Sequence, residues 1–155
     1  MDHPTFEVII PNWNGKKLLR KNIPCVLKAL EKVSALSKKL TVIDDGSTDD
    51  SISFLKQSHP EVYLLVNEKN LGFHPSVNRA ASESDAEIIL LLNSDMEPEP
   101  DAFQFLYNHF LTDSELFAVS GKIYSEDKTQ FLYGNRGGIF RKGHFMLLEK
   151  AEEAS

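Results

Sequence analysis

Glu87-Ile88-Ile89-Leu90-Leu91-Leu92-Asn93-Ser94-Asp95 decides the architecture. An unbroken apolar run, closed at once by polar residues, predicts a strand over Glu87–Leu92 covered on both faces, as strands of a parallel sheet are. Working outward, Phe6–Pro11, Leu40–Ile43 and Val62–Val66 read as three further strands, each bounded by turn residues. Between them the spacing becomes helical. Leu18, Leu19, Ile23, Val26, Leu27, Leu30, Val33 and Leu36 recur at intervals of three and four. Pro24 falls inside that series: it either kinks one helix or, the preferred reading, sits in the first turn of a second helix begun at Asn22. Ser47 or Thr48 is the expected N-cap of a helix carrying Ile52, Phe54 and Leu55. Pro75 opens a helix through Val77, Ala80 and Ala81, and beyond Pro98 and Pro100 the residues Phe103, Leu106, Tyr107 and Phe110 share one helical face.

Downstream, Phe117–Ile123 reads as a fifth strand, Ser125–Lys128 as a turn and Phe131–Tyr133 as a short strand. Gly134–Gly138 reads as a loop, Ile139–Leu148 as strand or helix, and Glu149–Ser155 as a solvated tail. The alternation of strands and helices places the chain in the α/β class: a mostly parallel sheet flanked by helices and joined by right-handed crossovers. All 155 residues are expected to form one domain. Ligands of such sheets bind beyond the carboxyl ends of the strands. Three of those ends carry polar clusters: Asn12-Trp13-Asn14, Asp44-Asp45-Gly46-Ser47 and Asn93-Ser94-Asp95. They converge on one rim if their strands are neighbours.

Composition narrows the function classes. With 41% hydrophobic and 26% charged residues the chain is of globular type rather than disordered. Lys and Arg number 17 against 23 Asp and Glu, a net charge of −6, which argues against a sequence-independent nucleic-acid binder. A phosphate ligand remains compatible, because a cation or helix N-termini supply local positive charge. The single cysteine, Cys25, excludes an internal disulfide and a multi-cysteine metal site, and the five histidines show no metal-ligand spacing. No signal-peptide pattern opens the chain and no run approaches the roughly 18 apolar residues of a spanning helix, so a cytoplasmic location with no encoded membrane association is expected. In a longer protein the chain could lie at the inner face of a membrane. Gly-x-Ser-x-Gly, Walker and Gly-x-Gly-x-x-Gly patterns are absent, which demotes hydrolase, P-loop and dinucleotide chemistry.

The rim residues suggest chemistry. Asp44 and Asp45, directly after an apolar strand, can accept hydrogen bonds from a base imide or a ribose hydroxyl; a turn that caps backbone N–H groups needs only one such acceptor. Asp49 and Asp50 are read as acids favourable to a helix start. Trp13, the only tryptophan, either stacks on a nucleobase or packs half-buried against the first helix. Asp95 suits a hard cation such as Mg²⁺ shared with diphosphate oxygens, since Mg²⁺ takes as few as one or two protein carboxylates; an Asx-turn is the other reading. Gly72, in Asn70-Leu71-Gly72-Phe73, lets backbone approach a ligand, and Asn78 is expected to tie that loop or the ligand.

In this order, these residues resemble the large family 2 of nucleotide-sugar glycosyltransferases with the GT-A, Rossmann-like fold. The resemblance rests on Val8-Ile9-Ile10-Pro11-Asn12-Trp13-Asn14-Gly15, Val42 to Asp49, Asn70-Leu71-Gly72-Phe73 with Asn78-Arg79-Ala80, and Leu91-Leu92-Asn93-Ser94-Asp95. It spans roughly Phe6 to Ala118. It implies transfer of a sugar from a nucleoside-diphosphate sugar to a glycan or lipid-linked acceptor, assisted by Mg²⁺ or Mn²⁺, in polysaccharide or cell-envelope glycan synthesis. The Asn-x-Asp form resembles a rhamnosyltransferase-like branch. It implies Asp95 as metal ligand, Asn93 towards ribose or phosphate, Trp13 stacked on the base, and Pro11, Asp44, Asp45 and Gly72 around the nucleotide.

The resemblance weakens on the acceptor side. Inversion needs a base to deprotonate the acceptor hydroxyl, and no residue is assigned to it. Glu126-Asp127 follows Ile123 too closely and sits in a turn-like setting, and Gly137-Gly138-Ile139-Phe140 lacks the acidic residue that follows in the family. The chain is therefore expected to be a donor-binding part cut before the acceptor half, with a noncatalytic nucleotide-binding module as the alternative. A receiver-like α/β domain fits poorly, because its acids would follow the first and third strands and the third ends Val66-Asn67.

Overall fold

The computed structural model describes residues 3–125, 127–133, 138–141 and 144–147. They fall into two compact units, residues 1–111 and 112–155.

The first unit alternates strands and helices as the sequence predicts: β1 (Phe6–Asn12), α1 (Lys16–Glu31), β2 (Lys38–Asp44), α2 (Ser51–Ser58), β3 (Tyr63–Val66), α3 (Phe73–Ser82), β4 (Ile88–Leu91) and α4 (Ala102–Thr112). The four strands form one parallel sheet in the order β3-β2-β1-β4. Asn12 is in register with Asp44, Asp44 with Val66, and Ile9 with Leu91. The chain winds outward from β1 through β2 to β3 and then returns to the other side of β1. The sheet thus has its topological switch point between β1 and β4, where open α/β sheets bind ligands.

Side chains alternate across the pleat and define two cores. Phe6, Val8, Ile10, Leu40 and Val42 face α1, α2 and α4, which contribute Leu19, Ile23, Val26, Leu30, Leu55, Phe103 and Tyr107. On the opposite face Ile9, Ile43 and Leu65 meet Ala80 and Ala81 of α3. Each large side chain buried in this way contributes about 1.5–3 kcal/mol. Tyr107 closes the amino end: its ring meets Phe6 edge-on at 5.8 Å and its hydroxyl donates to the Pro4 carbonyl at 2.9 Å. Glu7, buried in β1, is compensated by the hydroxyls of Thr41 and Ser84 and by Lys39 Nζ at 3.3 Å.

Four expectations are corrected. Pro24 lies inside one continuous helix rather than starting a second; its ring is exposed while its neighbours Ile23 and Val26 are buried, so packing outweighs the one hydrogen bond a proline cannot donate. The same helix ends at Glu31, leaving Leu36 80% exposed beyond it. Neither Ser47 nor Thr48 caps α2, whose N-cap is Asp50 with no side-chain capping bond; Asp49 Oδ1 instead accepts from the Ser51 amide and hydroxyl at 3.0 and 2.5 Å. Finally, β4 is an edge strand of this sheet, and although Ile88 is buried, Ile89 and Leu91 are exposed. No helix among the described residues is long and apolar enough to cross a membrane.

The second unit consists of two antiparallel pairs. β5 (Ile123–Tyr124) pairs with β6 (Phe131–Tyr133), and β7 (Gly138–Arg141) with β8 (His144–Leu147). The predicted strand over Phe117–Ile123 shrinks to β5, and Phe117 is exposed. Ile139–Leu148, read as strand or helix, falls largely on the β7–β8 pair. The predicted turn after Ser125 is present. Asp127 Oδ1 accepts from Ser125 Oγ at 2.5 Å, Thr129 Oγ1 at 2.8 Å and the Thr129 amide at 3.1 Å. Those bonds, first among them the Ser125 hydroxyl, hold its carboxyl below the usual range. Glu126, the 134–137 stretch and the 149–155 tail lie outside the described residues.

Candidate nucleotide-sugar site

The strand order makes β2, β1 and β4 consecutive neighbours, so the three polar clusters share one rim. The rim starts from backbone. The Asp45 amide donates to the Asn12 carbonyl and the Asn67 amide to the Asp44 carbonyl, each at 2.8 Å, carrying the sheet's bonding one residue past the strands. Asn14, with φ of 52°, then turns back over β2. Its Oδ1 accepts from the Thr48 and Asp49 amides at 2.7 and 3.2 Å, and its own amide donates to Ser47 Oγ at 2.8 Å.

The two aspartates do different work. Asp44 is fully buried: Oδ1 accepts from the Ser47 amide and Oδ2 from Asn12 Nδ2, both at 2.8 Å. It holds the turn from beneath and is not among the residues lining the cleft described below. Asp45 holds the loop after β3. Its Oδ1 accepts from Asn67 Nδ2 at 2.8 Å and the Leu71 amide at 2.9 Å, and its Oδ2 from the Gly72 amide at 2.8 Å. Burial pushes its carboxyl up, but the bonds from Leu71, Asn67, Ser76 and Gly72 outweigh that and leave it below the usual carboxylate range. Oδ2 retains acceptor capacity, since a carboxylate oxygen takes two hydrogen bonds. Gly46 makes this proximity possible: its φ is +69°, and a Cβ there would lie 2.6 Å from the Lys69 carbonyl carbon.

These elements enclose a cleft of about 550 Å³. Pro11, Asn12 and Trp13 form its β1 side, Asp45 its floor, and Asn70, Gly72, Phe73 and Ser76 its far side. Trp13 is 60% exposed and Phe73 nearly half exposed, so both offer apolar ring faces to a ligand. Of the sequence-predicted residues, Pro11, Trp13, Asp45 and Gly72 therefore meet in one cavity. Asn78 is exposed, and the tie expected of it is made by Arg79, whose Nη1 donates to the Val66 carbonyl at 2.9 Å and Asn67 Oδ1 at 2.6 Å.

Asn93 and Asp95 stand across β1 from this cleft, beyond the end of β4, both exposed. The Met96 amide donates to the Asn93 carbonyl at 3.1 Å, closing a turn. Among the described residues the Asp95 side chain makes no hydrogen bond or ion pair, and no group of three or more His, Cys, Asp or Glu side chains is placed to hold a metal. The donor set therefore fits a hard cation that brings most of its oxygen ligands with it, as a diphosphate-bound Mg²⁺ or Mn²⁺ does.

Sequence reasoning overlooked the buried polar residues that support this rim: Asn67, Ser76 and Asn22. Asn67 Nδ2 donates to Asp45 and to Ser76 Oγ at 2.8 Å, and Asn22 Nδ2 to the Ser94 carbonyl at 2.8 Å. A signal existed. Asn22 falls three residues after Leu19 and four before Val26 and Ser76 four before Ala80, polar residues on apolar stripes.

Comparison with known proteins fits this geometry. Chondroitin synthase of Escherichia coli is 31% identical over 119 residues, 75% of this chain and 17% of that protein. The O-antigen chain rhamnosyltransferase RfbN of Salmonella typhimurium is 28% identical over 117 residues, 74% of this chain and 36% of that one. The chain thus spans about a sixth to a third of these relatives. Among solved structures, the mannosyltransferase PcManGT from Pyrobaculum calidifontis, in complex with GDP-Man and Mn²⁺, superposes with a TM-score of 0.65 at 22% identity over 79% of this chain and 36% of that one. The fold is thus that of GT-A glycosyltransferases. The model of glycosyl transferase family 2 matches residues 7–152, nearly the whole length, and the chain belongs to that family.

Proposed function

We propose that this chain is the donor-binding part of an inverting glycosyltransferase that transfers a sugar from a nucleoside-diphosphate sugar to an acceptor hydroxyl in polysaccharide or cell-envelope glycan assembly. The observation that carries the reading is the division of the rim at the β1/β4 switch point: an aromatic-walled cleft on one side and an unpartnered carboxylate on the other. Relatives named for chondroitin and O-antigen synthesis support the pathway class.

In this reading Trp13 stacks on the base, worth about 1–3 kcal/mol, and Phe73 borders it. Asp45 Oδ2 and the Gly72 backbone contact base and ribose, while Pro11 shapes the β1 wall. Asp44 acts from below by fixing Ser47 and Asn12. Asn93 meets ribose or phosphate across β1. Asp95 is the protein ligand of Mg²⁺ or Mn²⁺, which when bound supplies positive charge for the diphosphate as the sugar–phosphate bond breaks. The base that deprotonates the acceptor belongs to the acceptor half of a longer protein.

The test is calorimetric titration with UDP, dTDP and GDP, each with and without Mn²⁺, beside Asp95→Ala. One nucleotide should bind with Mn²⁺ and lose about tenfold or more in affinity in the variant. Binding of none, or equal binding by the variant, would contradict the reading.

A further inference from the structure

The turn that presents Asp95 is suspended from α1. Asn22 sits on the buried stripe of that helix, 4% exposed, where its neighbours in the stripe are Leu19, Ile23 and Val26. An apolar side chain would serve the packing better, because Asn22 Oδ1 is buried and has no hydrogen-bond partner among the described residues, a costly state for an amide. What the amide does provide is Nδ2, which donates to the Ser94 carbonyl at 2.8 Å. The Ser94 carbonyl and the Asp95 amide belong to one planar peptide unit. Fixing that carbonyl therefore fixes the plane from which the Asp95 side chain departs.

Other ties between α1 and the chain after β4 are weaker by position. Lys21 Nζ and Cys25 Sγ each lie 3.9 Å from a Glu97 oxygen, and Lys32 Nζ meets Asp101 at 2.7 Å with both partners exposed. Exposed pairs of this kind orient little. Asn22 provides the one tie that is buried on the helix side among the described residues and that reaches the peptide next to Asp95.

We propose that Asn22 is a positioning residue for the metal-binding carboxylate, setting the direction of Asp95 through the Ser94–Asp95 peptide. This rests on the reading of Asp95 as cation ligand. Asn22 is buried and is not among the residues lining the cleft, so its removal is expected to act chiefly on the cation-dependent part of binding.

The experiment measures nucleotide affinity with and without Mn²⁺, by calorimetry and by the fluorescence of Trp13, for the wild type, Asp95→Ala, Asn22→Leu and Asn22→Ala. The probe is whichever of UDP, dTDP or GDP the wild type binds best. Asn22→Leu nearly preserves volume and removes the unpaired oxygen, so it should melt no lower than the wild type. Its gain in affinity from Mn²⁺ should nevertheless fall about tenfold or more, as when an outer-shell partner of a metal ligand is lost. Its metal-free affinity should stay within about twofold, a difference small on the tenfold scale. Asn22→Ala should lose the gain as well. A residue that only supports the fold would lower the melting temperature and both affinities together, and that result overturns the proposal. A full Mn²⁺ gain in both Asn22 variants, with the gain lost in Asp95→Ala, overturns the role of Asn22 while leaving Asp95 as ligand. No Mn²⁺ gain in the wild type overturns both.

Discussion

At the carboxyl end of β2 the carboxylates are bound into the protein before any ligand arrives; at the end of β4 the carboxylate is held, among the described residues, only through its backbone. Asp44 and Asp45 accept hydrogen bonds from groups that include Asn12, Ser47, Asn67, Leu71 and Gly72. Asp95 is exposed, and its turn rests on one side-chain bond from Asn22 and one backbone bond from Met96. The same residue type thus serves two purposes. Where carboxylates are bonded internally they preorganise a cavity, which lowers the ordering cost of binding. Where one makes no such bond among the described residues, its oxygens stay open to solvent, as the proposed cation-ligand role requires.

The sharpest way to break this contrast is one substitution made on each side. Asp45→Asn keeps the shape but sets an amide donor or a neutral oxygen against the buried Asn67 donor and the part-buried Leu71 and Gly72 amides. It should cost about 2–3 kcal/mol of stability in urea unfolding, because one buried and two part-buried donors lose a charged acceptor. Asp95→Asn should change stability by less than about 0.5 kcal/mol, as surface substitutions do. Equal costs at the two positions would show that the two sides of the rim are not built differently.

Trp13→Ala sharpens the cleft side. The ring is mostly exposed, so stability should stay within about 0.5 kcal/mol. Nucleotide affinity should fall by about 1–3 kcal/mol, the worth of a base–aromatic stack. Loss of stability with affinity unchanged would assign the ring to packing.

The smallest effect is the pH dependence. Because the folded state holds the Asp45 carboxyl below its unfolded value, its contribution is complete above the unfolded value near pH 4 and is lost as pH falls through the lower folded value. Urea midpoints measured down through that window should fall less steeply in Asp45→Asn than in the wild type. Parallel slopes would contradict this account of Asp45.

How much of this was legible in the sequence depended on periodicity. The first four strands and their helices follow from apolar runs and three-four spacing, and packing honoured both. The failures fall where a local rule met a tertiary contact. Pro24 stays in α1 because its neighbours are buried, and Ser47 is drawn from the helix cap by Asn12 and Asn14. Phe117–Ile123 has the composition of a strand but pairs only at its end. The cleft residues Trp13, Asp45 and Gly72 could be named from their place after strands. Their supports Asn67, Ser76 and Asn22 could not, because their partners lie up to 72 residues away.

Hydrogen–deuterium exchange of the apo chain and of the chain with nucleotide and Mn²⁺ tests the divided rim most directly. The Leu71 and Gly72 amides, already donated to Asp45, should exchange slowly without ligand and change little on binding. The amides of residues 93–95 should exchange fast in the apo protein and gain protection only when nucleotide and Mn²⁺ are both present. Fast exchange at Leu71 and Gly72 in the apo protein, or no gain at 93–95 with both ligands, would contradict it.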